Sequence, residues 1–132
     1  MRRVLTDTNV IISALLFPGS TPAHALARVL ELERLVLTTW IIGELHEVVA
    51  RKRPDLLSAL DAFLADLDYE RAEPGLTTVT IADPDDQPIL DAALAVGVDV
   101  IVTGDRHFLA LDIEHPVILT PRQYLDGAGG SR

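Results

Sequence analysis

The first apolar run, Val4-Leu5-Thr6, is short and stops at Asp7, which predicts a brief strand with an acid at its end. Three further β-type runs follow at residues 35–37, 98–102 and 117–119, with a β-branched stretch at 76–81 predicted as another strand. Residues 98–102 are almost wholly apolar, as in a strand buried on both faces of a parallel sheet. Between these runs the apolar positions recur at helical spacing. Helices are predicted over residues 9–16 and 23–33, the second opened by Thr21 as cap and Pro22 at the first helical position. Another spans 41–52, with Ile41, Leu45, Val48 and Val49 on one face. Pro54 opens the next, whose stripe is Leu57, Leu60, Phe63, Leu64 and Leu67. A helix over 89–96 ends at Gly97, and short helices are predicted at 106–111 and 121–125. Strands alternating with helices predict an α/β fold with a mostly parallel sheet.

The length of 132 residues suits one domain over 1–126, with a flexible tail at 127–132. There is no cysteine, which excludes a thiol nucleophile and a cysteine-ligated metal. No apolar run reaches the eighteen or so residues of a membrane span, and the cytoplasm is the expected compartment. The net charge of −9 argues at first against nucleic acid, but it is uneven. Residues 1–53 are net +2, residues 54–132 net −11. The densest basic cluster, Arg51-Lys52-Arg53, is a candidate RNA contact and equally a favourable helix C-terminus. The mean hydropathy of +0.27 suggests an apolar partner surface.

Four acids stand out by position. Asp7 ends the first strand, and Asp105 closely follows the strand at 98–102. Asp86 starts the helix that leads into that strand, and Glu44 lies early in the helix after the second. All four fall at element ends expected on the rim where open α/β sheets bind ligands. Each alone has a plainer role as a cap or a solvated helix residue. Gathered together they would repel, and a hard cation such as Mg²⁺ or Mn²⁺ is the usual neutraliser. One or two such ions suit phosphodiester hydrolysis by an activated water. Asp91 could reach the same cleft from its helix. His24, His46, His107 and His115 show no metal-ligand spacing and read as surface or local hydrogen-bonding residues. Glu47 is expected to pair with Arg51 four residues on.

Asp7-Thr8-Asn9-Val10, Glu44-Leu45, Asp83-Pro84-Asp85-Asp86 before Ile89-Leu90, and Val102-Thr103-Gly104-Asp105 together resemble a PIN domain over residues 3 to about 125. Within that superfamily the chain is most similar to small stand-alone prokaryotic toxins of type II toxin–antitoxin pairs, VapC-like in the broad sense. The resemblance implies a three-layer α/β/α fold with a parallel sheet. It implies Mg²⁺- or Mn²⁺-dependent endoribonuclease activity on single-stranded RNA, a homodimer, and an antitoxin partner covering the acidic cleft. By position it makes Asp7, Glu44, Asp86 and Asp105 the catalytic, metal-binding acids, supported by Thr8, Asn9 and Thr103. Two alternatives remain at this point. One is a PIN scaffold that binds without cleaving. The other is a receiver-type phospho-acceptor domain, disfavoured because the single lysine, Lys52, lies in the wrong half.

Overall fold

The computed structural model describes residues 1–75 and 79–127. Five strands, β1 (Arg3–Thr6), β2 (Arg34–Thr38), β3 (Tyr69–Ala72), β4 (Val100–Val102) and β5 (Val117–Leu119), form one sheet in the order β3-β2-β1-β4-β5. Every pairing is parallel. Consecutive residues of the central strands, such as Val4-Leu5 and Val100-Ile101-Val102, are fully or almost fully buried. Neighbouring strand residues point to opposite faces, so both faces of the sheet are covered and the architecture is a three-layer α/β/α sandwich.

The helices are α1 (Thr8–Leu16), α2 (Thr21–Leu32), α3 (Thr39–Lys52), α4 (Leu57–Asp66), α5 (Gln87–Val96), α6 (Arg106–Leu109) and α7 (Pro121–Leu125). Pro54 opens a 3₁₀ turn, Pro54–Leu56, which leads directly into α4. Caps set the starts. Asp7, Thr38 and Thr120 each accept a backbone N–H of the following turn, a type of bond worth about 1 kcal/mol. At α2 the cap is Ser20 rather than the expected Thr21, which places Pro22 one residue further in. Gly97 ends α5 at φ 77°, a left-handed position that favours glycine. No single helix among the described residues is long and apolar enough to cross a membrane.

The third strand departs from the sequence expectation. It lies at Tyr69–Ala72, while residues 79–81 of the stretch expected as a strand are irregular. Residues 76–78 of that stretch, and 128–132 of the expected tail, lie outside the described residues. At residues 79–81 a side chain takes backbone groups. Gln87 Nε2 donates to the Val79 carbonyl at 2.9 Å, and Gln87 Oε1 accepts the Ile81 N–H at 3.1 Å. One amide thus satisfies two backbone groups that a strand partner would otherwise take. The Tyr69–Ala72 segment instead pairs with β2 at the sheet edge, where Glu70 forms an ion pair with Arg3. Gln87→Ala should cost about 1–3 kcal/mol, the sum of the lost bonds, readable as a lower urea midpoint with unchanged slope. An unchanged midpoint would mean that other contacts hold this segment.

Candidate metal centre

The chain leaves β1 on one side for β2 and β3, then crosses back to place β4 on the other. The reversal falls between β1 and β4, the position at which open α/β sheets bind ligands. Asp7 follows β1 directly, and Asp105 comes three residues after β4.

Asp7 is 5% exposed. Its N–H donates to the Val102 carbonyl at 3.2 Å, which continues the β1–β4 ladder. One carboxylate oxygen accepts the Val10 N–H at 3.0 Å, and the other accepts the hydroxyl of fully buried Thr103. The Thr103 Oγ1 in turn accepts the Asp105 N–H at 2.9 Å. One hydroxyl therefore ties together the acids of two strand ends. Burial pushes the Asp7 carboxyl above its ordinary range. The Thr103 and Val10 bonds oppose that rise, and the charge of Asp105 adds to it.

Glu44 sits in the second turn of α3, beside the core residues Ile41 and Leu45. Thr8, the first residue of α1, donates its hydroxyl to Glu44 Oε1 at 2.7 Å. Burial raises the Glu44 carboxyl, the Thr8 bond opposes this, and the charges of Asp7, Asp85 and Glu47 add to it.

Asp86 caps α5 by position, but its side chain makes no capping bond. Pro88 falls in the first turn of that helix, where its missing N–H is one of the unpaired ones anyway. Asp86 Oδ2 is buried without a hydrogen-bond partner. Its pKa is pushed up to about 7, first by burial, then by the charge of Asp105, a hydrogen bond with Asp105, and the charge of Asp83.

Among the residues expected to support the acids, Thr8 and Thr103 bond to them directly. Asn9 is exposed, and Asp91 accepts from Gln87 at 2.8 Å on its own helix. Arg51, Lys52 and Arg53 occupy the last turn and cap of α3. Lys52 lies about 12 Å along the helix axis from Glu44 at 1.5 Å per residue, so this cluster does not flank the acids. Arg51 pairs with Glu47 as expected, and Arg53 pairs with Asp55.

Sequence reasoning missed three contributors. Asp83 and Asp85 bring further charge to the group from the Asp83–Asp86 loop. His107, expected to be an ordinary surface or local hydrogen-bonding residue, is half-buried against three carboxylates. Its Nδ1 lies 3.0 Å from Asp105 Oδ1, 3.8 Å from Asp86 Oδ2 and 3.9 Å from Asp83 Oδ2. The signal available was the Asp105-Arg106-His107 spacing at the start of α6, where the first turn brings residue and cap together. Donor atoms of Asp83, Asp86, Asp105 and His107 all lie within 4.8 Å of one another. Oxygen-rich donors, carboxylates whose pKa values rise through burial and mutual repulsion, and a buried unpartnered Asp86 oxygen fit a hard divalent cation.

A family model for the PIN domain matches residues 3–107. The chain belongs to the PIN domain family. Its fold is similar to a chain in the crystal structure of VapBC2 from Rickettsia felis bound to a DNA fragment from their promoter. That likeness has a TM-score of 0.64 at 16% identity, and covers 89% of this chain and 96% of the other. Among curated protein sequences, none matches this one. The receiver alternative falls with the topology. Receiver-type sheets run 2-1-3-4-5, whereas this PIN domain places β2 and β3 in succession on one side of β1. Its single lysine, Lys52, sits at the far end of α3 rather than at the strand ends.

Proposed function

We propose that this PIN domain is a Mg²⁺- or Mn²⁺-dependent endoribonuclease of single-stranded RNA, and the toxin of a toxin–antitoxin pair. The observation that carries the reading is the gathering of acids at the switch point: donor atoms of Asp83, Asp86 and Asp105 lie within 4.8 Å of one another, the charge of Asp105 reaches Asp7, and that of Asp7 reaches Glu44. Asp86 and Asp105, with Asp83, would hold the ion, and Asp7 and Glu44 would add their charge from beside it. When bound, a divalent ion supplies an activated water and offsets the charge that builds on the phosphodiester. The chain's own contribution is orientation. Thr103 fixes Asp7 and the backbone at Asp105, and Thr8 fixes Glu44. Asp86, whose carboxyl is raised to about 7 by burial and by the charge of Asp105, would release a proton as an ion enters.

The test is cleavage of single-stranded RNA by purified protein with Mn²⁺ or Mg²⁺, with EDTA, and by Asp105→Asn. Expected are cleavage that EDTA stops and metal restores, and a loss of about a hundredfold or more in the variant. Asn keeps an oxygen for the His107 N–H, so the cap of α6 survives. Equal cleavage by Asp105→Asn and wild type would assign the activity to a contaminant.

The partner reading rests on an apolar groove between α1, α3 and α4. Ile12, Leu15, Leu16, Val48 and Leu60 line it, together with Lys52 and with Arg53, which pairs with Asp55. Such a groove would seat an apolar helical segment of an antitoxin whose remainder covers the acidic cleft. Val48→Glu should abolish co-purification of the antitoxin while leaving RNA cleavage intact; retained co-purification would place the partner elsewhere. The expected homodimer is tested by the mass of the free protein in light scattering, where a monomer at high concentration would remove it.

A further inference from the structure

We infer that His107 is itself a ligand of the metal centre, through Nδ1, and that it shifts the site's preference from Mg²⁺ toward first-row transition ions. This rests on the reading of the acids as a divalent-ion site.

The geometry points to a lone pair rather than to a charged partner. His107 Nδ1 is buried and has no hydrogen-bond partner, although Asp105 Oδ1 is 3.0 Å away. A protonated imidazole placed among three carboxylates would donate that proton to one of them. Here the nitrogen faces the carboxylates without the alignment for such a bond. The other unpartnered buried atom of the group is Asp86 Oδ2, 3.8 Å from the same nitrogen. Two orphaned donor atoms on different elements thus face one another.

The spacing suits a shared ion. Adjacent ligands about 2.1 Å from an octahedral ion lie about 3.0 Å apart, and opposite ligands about 4.2 Å apart. The 3.0 Å from the His107 nitrogen to Asp105 Oδ1 matches adjacent ligands, and the 3.8 and 3.9 Å to Asp86 and Asp83 fall between the two spacings, so those side chains shift by a few tenths of an ångström as the ion enters. The ring is also held in place. The His107 N–H donates to Asp105 Oδ1 at 2.7 Å, so one acid fixes the backbone that carries the imidazole. The α6 helix is anchored by fully buried Phe108. A neutral ring with its proton on Nε2 leaves Nδ1 free to ligate.

Ligand chemistry sets the consequence. Mg²⁺ takes oxygen donors almost exclusively and keeps its waters. Imidazole nitrogen binds first-row transition ions well and adds little for Mg²⁺. An all-carboxylate centre would discriminate weakly between Mg²⁺ and Mn²⁺, whereas one nitrogen tilts the balance toward Mn²⁺.

The experiment loads the full chain with Mn²⁺ and reads nitrogen coupling by pulsed EPR, beside calorimetric titration with Mn²⁺ and with Mg²⁺. Wild type should show ¹⁴N modulation from a directly bound imidazole. His107→Gln and His107→Ala should lose it, with Mn²⁺ affinity lowered at least about tenfold and Mg²⁺ affinity much less changed. Gln offers an oxygen in place of the ring, so a folded His107→Gln that still binds Mn²⁺ without nitrogen modulation isolates the ligand. Mn²⁺ bound to wild type without ¹⁴N coupling, or coupling that persists in His107→Gln, overturns the assignment of His107 and leaves the carboxylate site standing. No Mn²⁺ binding by wild type overturns both.

Discussion

Asp7→Asn should abolish RNA cleavage and at the same time raise the melting temperature of the metal-free protein. The two effects come from one cause. Asp7 is almost fully buried, and burial is the largest influence on its carboxyl. In the metal-free fold that charge is an unfavourable group kept in place by Val10 and Thr103. Asn is nearly the same size, keeps an oxygen for the Val10 N–H, and can direct its amide at the Thr103 hydroxyl. The helix cap therefore survives and the desolvated charge is gone. With the charge goes the electrostatic basis for holding a cation, and cleavage should fall by about a hundredfold or more. The checks are single-turnover cleavage of an RNA oligonucleotide and a thermal melt in EDTA at pH 8. Loss of activity together with a lower melting temperature would show that the capping role outweighs the charge. Undiminished activity would remove Asp7 from the site.

The metal-free protein should lose stability from about pH 4 upward, a fall still running between pH 6 and 8, and divalent ions should restore it at pH 8. Asp86 has its folded pKa pushed up to about 7 from an ordinary carboxylate value of 3.8, and Asp7 and Glu44 are raised as well. A carboxyl raised in the folded state binds its proton more tightly there than in the unfolded chain. Its protonated form favours folding at low pH, and that advantage is lost as pH climbs toward and through the folded pKa. His46 works in the same direction, because its pKa is raised mainly by Asp61. Its contact lies outside the acidic group, so metal leaves it unchanged. The change in the Mn²⁺-induced rise between the two pH values is therefore the part that belongs to the site. An ion at a hundred times its dissociation constant adds about 2.7 kcal/mol, which for a chain of this length is roughly 10 °C. Melts in EDTA and in Mn²⁺ at both pH values read this directly. A metal-induced rise as large at pH 6 as at pH 8 would mean that Asp86 does not release a proton on binding.

The legible parts of the sequence were those governed by local rules. Asp7 and Asp105 could be placed on one rim because an apolar run precedes each, and a buried parallel strand leaves little choice of where its end lies. Gly97 marked the end of α5 because only a residue tolerant of positive φ closes a helix that way. Glu44 and Asp86 followed from helix starts. The illegible parts depended on tertiary partners. The strand Tyr69–Ala72 carries charged residues and no β-branched ones, and it is held by pairing with β2 and by Arg3. The β-branched stretch after it looked more strand-like, yet a glutamine side chain takes its backbone groups. His107 and Asp83 come together only when the acidic loop folds back over α6, and no period in the sequence announces that. The basic cluster at residues 51–53 lies at the end of α3, about 12 Å along the axis from Glu44, a separation that composition does not show.

The link from Thr103 to Asp7 spans 96 residues of chain. Strand β4 lies between β1 and β5 in the sheet although it is fourth in the sequence. During synthesis Asp7 therefore emerges long before its partners, and at 5–20 residues per second the delay is roughly 5–20 s. Until β4 inserts beside β1, a nascent chain has Asp7 and Glu44 but neither Thr103 nor Asp105. No chain that stops short of Asp105 holds the assembled acids, and whatever chemistry they perform is confined to a polypeptide whose translation has passed that residue.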